Sequence, residues 1–386
     1  MDAERPSRTN RTLAWAILVL ALCVLLTAAV TAVLALRAQD MPAEQLALSA
    51  GSLEGIDLYL ADARGGNRVR LTDRPGDEVF ALWAPDGQTL AFVRVNLTGR
   101  ASAAVTPGVY LLKLSQTGRA RETLLYSSRD DSPPLTAWSP DGEHLAILPM
   151  PVGDGEGQSA TAVLTIANAR TGALTEHPLP VRVAAQTLSW SHDGARLAFI
   201  ARPVSEENEL SDGGVYVYEP GTGALARIAE GGTEVAWSPT EGLLACANLE
   251  NQQGLVLVDA DGANARPFAL GEHAMSPSWS PDGQRLAFGR VGLDVSEIAL
   301  CHLVSGEVET LLALEDIPWG LAWSPSGRLL ACTLVRDADA YAYGVSVVDT
   351  NTGETLGFAS VEALEAMPAW RPPASADAAG AATEQP

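Results

Sequence analysis

Acidic side chains recur shortly before a series of tryptophans in this chain of 386 residues. Carboxylates that converge from several repeats could hold a divalent cation, or could attract a polyamine or a basic peptide. The same residue types are common in the solvated turns of an acidic chain, so the sequence leaves both interpretations open. The candidate acidic positions are Asp77, Glu78, Asp130, Asp131, Glu230, Glu234, Glu272, Glu315, Asp316, Glu362 and Glu365.

Two further residues beside these carboxylates are candidates for binding. His273 directly follows Glu272, but a single histidine needs other ligands before it can hold a metal ion. Trp319 lies outside the tryptophan repeat and is expected in a loop with Glu315 and Asp316. From such a loop it could stack on a sugar or clamp a peptide, or it could pack against the neighbouring repeat.

The remaining reactive residues form no recognisable catalytic or metal-binding motif. The 5 histidines and 4 cysteines show neither His-x-x-x-His nor Cys-x-x-Cys spacing, and no glycine-rich phosphate loop is present. We therefore expect no catalytic residue and no cofactor, with a divalent cation in a central channel as the alternative.

The tryptophans define the elements that must position these side chains. They recur roughly every 40 to 55 residues, and most open a variant of Trp-Ser-Pro-Asp-Gly. In that phrase proline and glycine suit the torsions of a tight turn and aspartate caps it, so each copy predicts a hairpin. Three further strand-like runs follow each tryptophan strand except the last. The repeat tryptophans, expected at contacts between neighbouring units, are Trp83, Trp138, Trp190, Trp237, Trp279, Trp323 and Trp370.

The two ends of the repeat region complement each other in this count of strands. Residues 366–370 supply a first strand alone, whereas residues 45–49, 56–60 and 68–72 supply a second, third and fourth strand. We therefore predict an all-β propeller of seven four-stranded blades, closed by one C-terminal and three N-terminal strands. Six blades with an incomplete extra pair of strands is the alternative.

The repeat resembles that of the TolB-like β-propellers, in which Trp-Ser-Pro-Asp-Gly is followed by Leu-Ala-Phe and by an aliphatic-Tyr-aliphatic strand. The resemblance covers roughly residues 44–370 and implies a propeller in an extracytoplasmic setting. The family's namesake carries a separate α/β domain and six blades, which this chain does not match. Related propellers form the non-catalytic domain of serine oligopeptidases, whose Gly-x-Ser-x-Gly elbow is missing here.

An uncharged apolar segment, residues 13–36, precedes the repeats. It exceeds the roughly 20 residues that a helix needs to cross a bilayer, so we expect an uncleaved transmembrane anchor, with a cleavable signal peptide as the alternative. Arginines before it predict a cytoplasmic N-terminus and a propeller outside the plasma membrane. The predicted segments are a cytoplasmic arm (1–12), the anchor (13–36), a linker (37–43), the propeller (44–371) and a disordered tail (372–386).

Charge and loop lengths bear on the partners. A net charge of −22 argues against nucleic acid, because phosphate binding needs a surplus of positive charge. Long connections at 94–107, 150–160 and 201–213 are either a partner surface or disordered decoration. The leading prediction is a membrane-anchored interaction or scaffold module of the bacterial envelope with a protein partner. The alternative is an envelope hydrolase or lyase acting on sugars or lactones.

Overall fold

The computed structural model divides the chain into two units, Met1–Glu44 and Gln45–Pro386. The predicted segments 1–12, 13–36 and 37–43 lie outside the described residues. Within the described part of the chain, no helix is long and apolar enough to cross a bilayer. The structure describes residues 44–52, 55–97, 105–114, 120–128, 132–150, 161–203, 213–249, 252–270, 273–292, 295–337, 342–357 and 364–374.

The described residues are all-β, as the sequence predicts, and their strands pair antiparallel. The strands of the first half are β1 (Gln45–Ser52), β2 (Gly55–Asp62), β3 (Val69–Arg70), β4 (Asp77–Trp83), β5 (Thr89–Val95), β6 (Gly108–Leu114), β7 (Ala120–Ser127), β8 (Leu135–Trp138), β9 (His144–Leu148), β10 (Ala162–Asn168), β11 (Leu174–Leu179), β12 (Val181–Trp190), β13 (Leu197–Pro203) and β14 (Gly214–Glu219). The remaining strands are β15 (Ala224–Trp237), β16 (Leu243–Leu249), β17 (Gln252–Asp259), β18 (Arg266–Leu270), β19 (His273–Trp279), β20 (Arg285–Val291), β21 (Ser296–His302), β22 (Val308–Leu314), β23 (Ile317–Trp323), β24 (Leu329–Asp337), β25 (Ala342–Asp349), β26 (Thr355–Gly357) and β27 (Leu364–Trp370).

These strands form five four-stranded sheets and one seven-stranded sheet in the described residues. Four of the small sheets are consecutive along the chain: β4 to β7, β8 to β11, β19 to β22 and β23 to β26. The large sheet runs from β12 to β18, and its middle strand β15 is 14 residues long. The first part of β15 pairs with β14 and its last part pairs with β16.

The fifth small sheet joins the two ends of the repeat region, in the order β27-β1-β2-β3. Leu46 pairs with Trp370 and Ala47 with Ala369, as the predicted closure requires. Arg371 extends this joint, since its backbone N–H donates to the Gln45 carbonyl at 2.8 Å and its Nε donates to the Gly87 carbonyl at 2.7 Å. The C-terminal strand is thereby held both to β1 and to the turn after β4.

The repeated Ser-Pro-Asp-Gly segments form the turns between the first two strands of a sheet. In the turn after β19, Ser280 Oγ donates to Asp282 Oδ1 at 2.6 Å, and the Gln284 N–H donates to the same carboxylate at 3.0 Å. Gly283 adopts φ of 69°, which favours glycine. These bonds lower the pKa of Asp282, with the Ser280 hydroxyl as the main cause. The aspartate is therefore held by turn chemistry.

The repeat tryptophans join neighbouring sheets. Five indole N–H groups each donate to the backbone carbonyl of the residue just before the preceding repeat tryptophan, at 2.9 to 3.1 Å. The Leu-Ala-Phe residues of the second strands β5, β13 and β20 are fully buried. The donor and acceptor pairs are Trp138 with Leu82, Trp190 with Ala137, Trp279 with Ala236, Trp323 with Ser278, and Trp370 with Ala322.

Candidate functional site

Most of the described candidate side chains lie within the first strands of the sheets, and this corrects the expectation that Trp319 lies in a loop. Asp77 and Glu78 begin β4, His273 begins β19, Glu234 lies near the end of β15, and Glu365 lies in β27. Trp319 also lies in a strand, β23, where it pairs with Thr333. Pairing extends this far because each of these strands continues through an irregularity in its ladder. Asp130, Asp131, Glu272 and Glu362 lie outside the described residues.

A bulge a few residues before the tryptophan is the local feature shared by these strands. In four of them the residue three positions before the tryptophan has φ between 51° and 61°. Left-handed backbone costs an L-residue about 1–2 kcal/mol, so three of these positions are strained. The sequence pattern does not predict this positive φ, because only one of the four residues is glycine. The four residues are Phe80, Ser276, Gly320 and Met367.

The N–H group of each bulge residue donates to a side chain on another first or second strand. Three of the acceptors belong to the preceding sheet: Ser276 N–H donates to Glu234 Oε2 at 2.6 Å, and Gly320 N–H to Ser276 Oγ at 2.9 Å. Met367 N–H donates to Thr333 Oγ1 at 2.9 Å. These strained amides are therefore satisfied across the joints between sheets.

The most elaborate group of charges surrounds Glu78. Its carboxylate accepts from Arg94 Nε at 2.6 Å and from Thr72 Oγ1 at 2.9 Å. Arg94 also donates to both oxygens of Glu122, at 2.7 and 3.0 Å, and its guanidinium stacks 4.4 Å above the Tyr110 ring. The Glu78 side chain is 0% exposed and Arg94 is 4% exposed, so this pair is closed to solvent, while Glu122 keeps 18% of its side chain exposed.

Burial and pairing act on Glu78 in opposite directions. Burial raises the pKa of Glu78 to about 7, while the Arg94 guanidinium lowers it. Burial lowers the pKa of Arg94, but the hydrogen bonds that it donates to the two carboxylates, with their negative charge, outweigh burial and raise its pKa above the ordinary value. Arg94 is thus permanently charged between Glu78 and Glu122, and it offsets the cost of the buried carboxylate.

The other predicted carboxylates differ in their surroundings. Asp77 is buried and accepts the Ile56 N–H at 3.2 Å. Glu365 is 1% exposed and forms an ion pair with Arg68, while its Oε2 atom has no hydrogen-bond partner in the described residues. Asp316 pairs with Arg336 at 2.8 Å. Each of these contacts serves the packing of the strands.

Glu234 is a buried carboxylate with a single described hydrogen bond. It is 3% exposed, and its Oε2 accepts the Ser276 N–H. Burial raises the pKa of Glu234 to about 7, and the bond from Ser276 only partly opposes this. No described ion pair compensates its charge, in contrast to Glu78.

Several described candidates reach solvent. Glu230, His273 and Glu315 are exposed, and Asp316 and Trp319 are half-buried. Asp77, Glu78, Glu234 and Glu365 are instead buried, so these four do not present an open ring of negative charge. What they can do chemically in this arrangement is accept hydrogen bonds, hold arginine and, for Glu234, exchange a proton.

A group that the sequence analysis did not single out lies in the turn between β8 and β9. One ligand atom each from Asp141, Glu143 and His144 lies within 4.8 Å of the others. The adjacency of these residues, Asp-Gly-Glu-His, is the signal that could have found them. Asp141 already accepts from Ser139 Oγ at 2.5 Å, and its pKa is lowered by that bond against the effect of burial.

Among known proteins, this chain is similar to TolB in both sequence and structure. A stretch of 94 residues, 22% of this chain, is 35% identical to the Tol-Pal system protein TolB of Alcanivorax borkumensis. The crystal structure of TolB from Acinetobacter baumannii superposes with a TM-score of 0.53 at 17% identity, over 86% of this chain and 67% of that one. The likeness to the TolB-like β-propellers is confirmed. No family model matches the chain.

The TolB-like fold is shared with proteins of other activities. An oligogalacturonate lyase in complex with manganese has a TM-score of 0.55 at 15% identity, over 81% of this chain and 84% of that one. At such identities the likeness shows the fold alone. The matched stretches span about a fifth of the length of the curated relatives, at 20% of each.

Proposed function

We propose that this chain is a seven-bladed propeller that serves as a protein-interaction module of the bacterial envelope. The blade count follows from dividing the seven-stranded sheet at β15, whose first part would end one blade and whose last part would begin the next. With the other five sheets, two blades from this sheet give seven.

The observation that carries the functional proposal is the 94-residue stretch that is 35% identical to TolB. That protein is named as a member of the Tol-Pal system, which makes a role in a protein assembly the first hypothesis for a chain with the same repeat. The closed joint between β27 and β1 supports this role, because a rigid ring presents its connecting loops in fixed positions.

The loops proposed to contact the partner are the long connections at 94–107, 150–160 and 201–213. A tagged full-length chain, cross-linked in its native membrane and extracted in detergent, should co-purify with one stoichiometric protein. Replacement of 151–160 by a glycine-serine segment of equal length should lose that protein without changing the Tm, whereas the same replacement within the tail 375–386 should retain it. Failure of the intact chain to retain any protein would contradict the proposal.

We further propose that the anchor at 13–36 holds the propeller outside the plasma membrane. Val304 offers a direct test, since it is 93% exposed at a turn while the described cysteines are buried. Val304→Cys should react with a membrane-impermeant maleimide in spheroplasts as fast as in lysed cells. Reaction only after lysis would place the propeller in the cytoplasm and contradict the proposed topology.

A second candidate function is an envelope lyase or hydrolase acting on sugars or lactones with a bound cation. The fold neighbour that contains manganese and the group formed by Asp141, Glu143 and His144 favour it. Purified full-length protein should then raise its Tm in Mn²⁺ or Ca²⁺, and D141N should abolish the rise while Asp261→Asn, in another turn, retains it. An unchanged Tm at millimolar metal would leave only the interaction role.

A further inference from the structure

The joint between β15 and β19 contains the Glu234 carboxylate. Its Oε2 accepts the Ser276 N–H at 2.6 Å, and β15 is also tied to β12 because the Val235 N–H donates to Thr187 Oγ1 at 2.9 Å. Glu234 therefore sits where three first strands, β12, β15 and β19, are hydrogen-bonded in succession.

Glu234 differs from the acceptors at the equivalent joints of the described strands. Met367 N–H donates to the Thr333 hydroxyl and Phe80 N–H to the Met367 sulfur, at 2.9 and 3.4 Å. Those acceptors are neutral at every physiological pH. A carboxyl group can change its charge, so the joint at Glu234 can respond to protons where its counterparts cannot.

The contact is passed on to the next sheet. Ser276 is held at φ of 51°, and its hydroxyl accepts the Gly320 N–H at 2.9 Å. Gly320 has φ of 61° in the bulge of β23. A shift of Ser276 away from Glu234 would release strain at one bulge and remove the acceptor of the next.

The surroundings of Glu234 supply no compensating charge. Burial raises the pKa of Glu234 to about 7, and the hydrogen bond from the Ser276 N–H acts in the opposite direction. The strands packed against β15 are β12, β13, β14, β16 and β19. No described ion pair joins Glu234 to a charged side chain of these strands. The charged or titratable residues on β15 and on the strands packed against it are Arg182, Arg202, Tyr216, Tyr218, Glu219, Arg227, Glu230, Cys246 and His273.

We propose that the β15–β19 joint is a proton-dependent seam, closed when Glu234 is protonated and loosened when it is ionised. A neutral carboxyl keeps its acceptor for the Ser276 N–H without a buried charge. An ionised carboxyl, with one N–H and no cation, gains by admitting water. A moderately acid environment would then hold this part of the ring rigid, and neutral or alkaline conditions would let it open.

Proton binding by Glu234 determines whether stability rises or falls with pH. A carboxyl whose pKa is raised in the folded state gives stability that is fully present below the unfolded pKa and is lost as pH rises through the folded pKa. For Glu234 the loss begins near the ordinary pKa of 4.5 and is nearly complete at about pH 7. Glu78 titrates in the same range, so the informative quantity is the difference between the wild type and a Glu234 variant.

The test is thermal unfolding of the purified full-length chain in detergent from about pH 5.5 to pH 8.5, comparing wild type, E234Q and E241Q. Gln keeps the acceptor for Ser276, and Glu241 is an exposed residue of the neighbouring turn. Wild type and E241Q should lose about 5 °C more in Tm over this range than E234Q. Identical pH dependence of wild type and E234Q would overturn the proposal.

Amide exchange of the wild type keeps the proposal falsifiable if E234Q fails to fold. After correction for intrinsic rates, a peptide covering β19 should lose protection at least about tenfold between pH 6 and pH 8. A peptide covering β8 and β9, which has no buried lone carboxylate among its described residues, should keep its protection. Unchanged protection of β19 would overturn the seam.

Discussion

The Arg94 guanidinium lies between two carboxylates of one sheet, Glu78 and Glu122, and its positive charge compensates the buried Glu78 carboxylate. Its pairing with Glu78 at 2.6 Å and Glu122 at 2.7 Å explains how a fully buried glutamate is tolerated in β4. The sequence located Glu78 but not its partners. Arg94 sits at the end of β5, and its approach to Glu122 depends on the packing of β5 against β6 and β7.

Removal of Arg94 should be strongly destabilising. Arg94→Ala leaves Glu78 buried without a counter-charge, which costs about 3–5 kcal/mol in the free energy of unfolding measured in urea. The loss should be greater at pH 8 than at pH 5, because the pKa of Glu78 is already raised and protonation at low pH removes the uncompensated charge.

The control for this variant is an exposed ion pair of similar geometry. Arg70 contacts Asp57 at 2.7 Å, but its side chain is 51% exposed. Arg70→Ala should lower the free energy of unfolding far less than Arg94→Ala does, with little dependence on pH, because solvent screens this exposed pair. Equal losses for the two variants would show that the Glu78 network does not stabilise the ring.

At the scale of the elements, the repeat tryptophans connect neighbouring sheets through hydrogen bonds. The period of the repeat predicted the hairpins and the contacts between units, because turn torsions and apolar runs are local properties of the sequence. The bulges of β4, β19, β23 and β27 could not be predicted in this way. Their φ values depend on acceptors such as Thr333 and Glu234 in another sheet, which no local pattern encodes.

The indole N–H should contribute measurably to these joints. Trp138 Nε1 donates to the Leu82 carbonyl at 3.0 Å, whereas Trp237 Nε1 has no partner among the described residues. Trp138→Phe and Trp237→Phe make the same change of side chain, but only Trp138→Phe removes a described indole hydrogen bond. Trp138→Phe should cost about 1 kcal/mol more in urea unfolding. An equal or smaller cost would contradict the role of this bond.

The turn after β4 is the element on which the closing segment rests. A Cβ at Gly87 would lie 2.2 Å from the Pro372 carbonyl oxygen, and φ is 63°. Gly172 has φ of 74°, and a Cβ added there would meet no atom within 4 Å. Gly172→Ala should therefore cost only about 1–2 kcal/mol in urea unfolding, and Gly87→Ala should cost clearly more. Equal costs would mean that the C-terminal segment does not pack on this turn.

At the scale of the whole molecule, the ring is closed by residues far apart in sequence. Counting strands from the two ends predicted that β27 would complete the sheet of β1 to β3, and the observed register agrees. The contacts of Arg371 were not predicted, among them the stacking of its guanidinium 5.1 Å from the Trp83 ring. No local sequence pattern indicates that an arginine at this position contacts the turn of another sheet.

The acidic positions illustrate why a site is harder to predict than a fold. Repeated turns and strands leave a period in the sequence, whereas the state of a carboxylate depends on burial and on single distant partners. Glu78 and Glu365 were both candidates for a group of converging carboxylates that could bind a cation. Each is instead buried against an arginine from another segment of the chain. The sequence therefore indicated the strands that carry the site and not the charge that they present.

Truncation of the C-terminal strand tests the closure most directly. Two full-length-derived chains are compared by thermal unfolding in detergent: one ending at residue 363, which removes β27 and Arg371, and one ending at residue 374, which removes only the tail. A closed ring predicts that the shorter chain loses its cooperative transition or shifts its Tm down by at least about 10 °C, while the longer chain unfolds like the intact protein. A chain ending at 363 that unfolds as cooperatively and at the same Tm as the intact protein would contradict the closed ring.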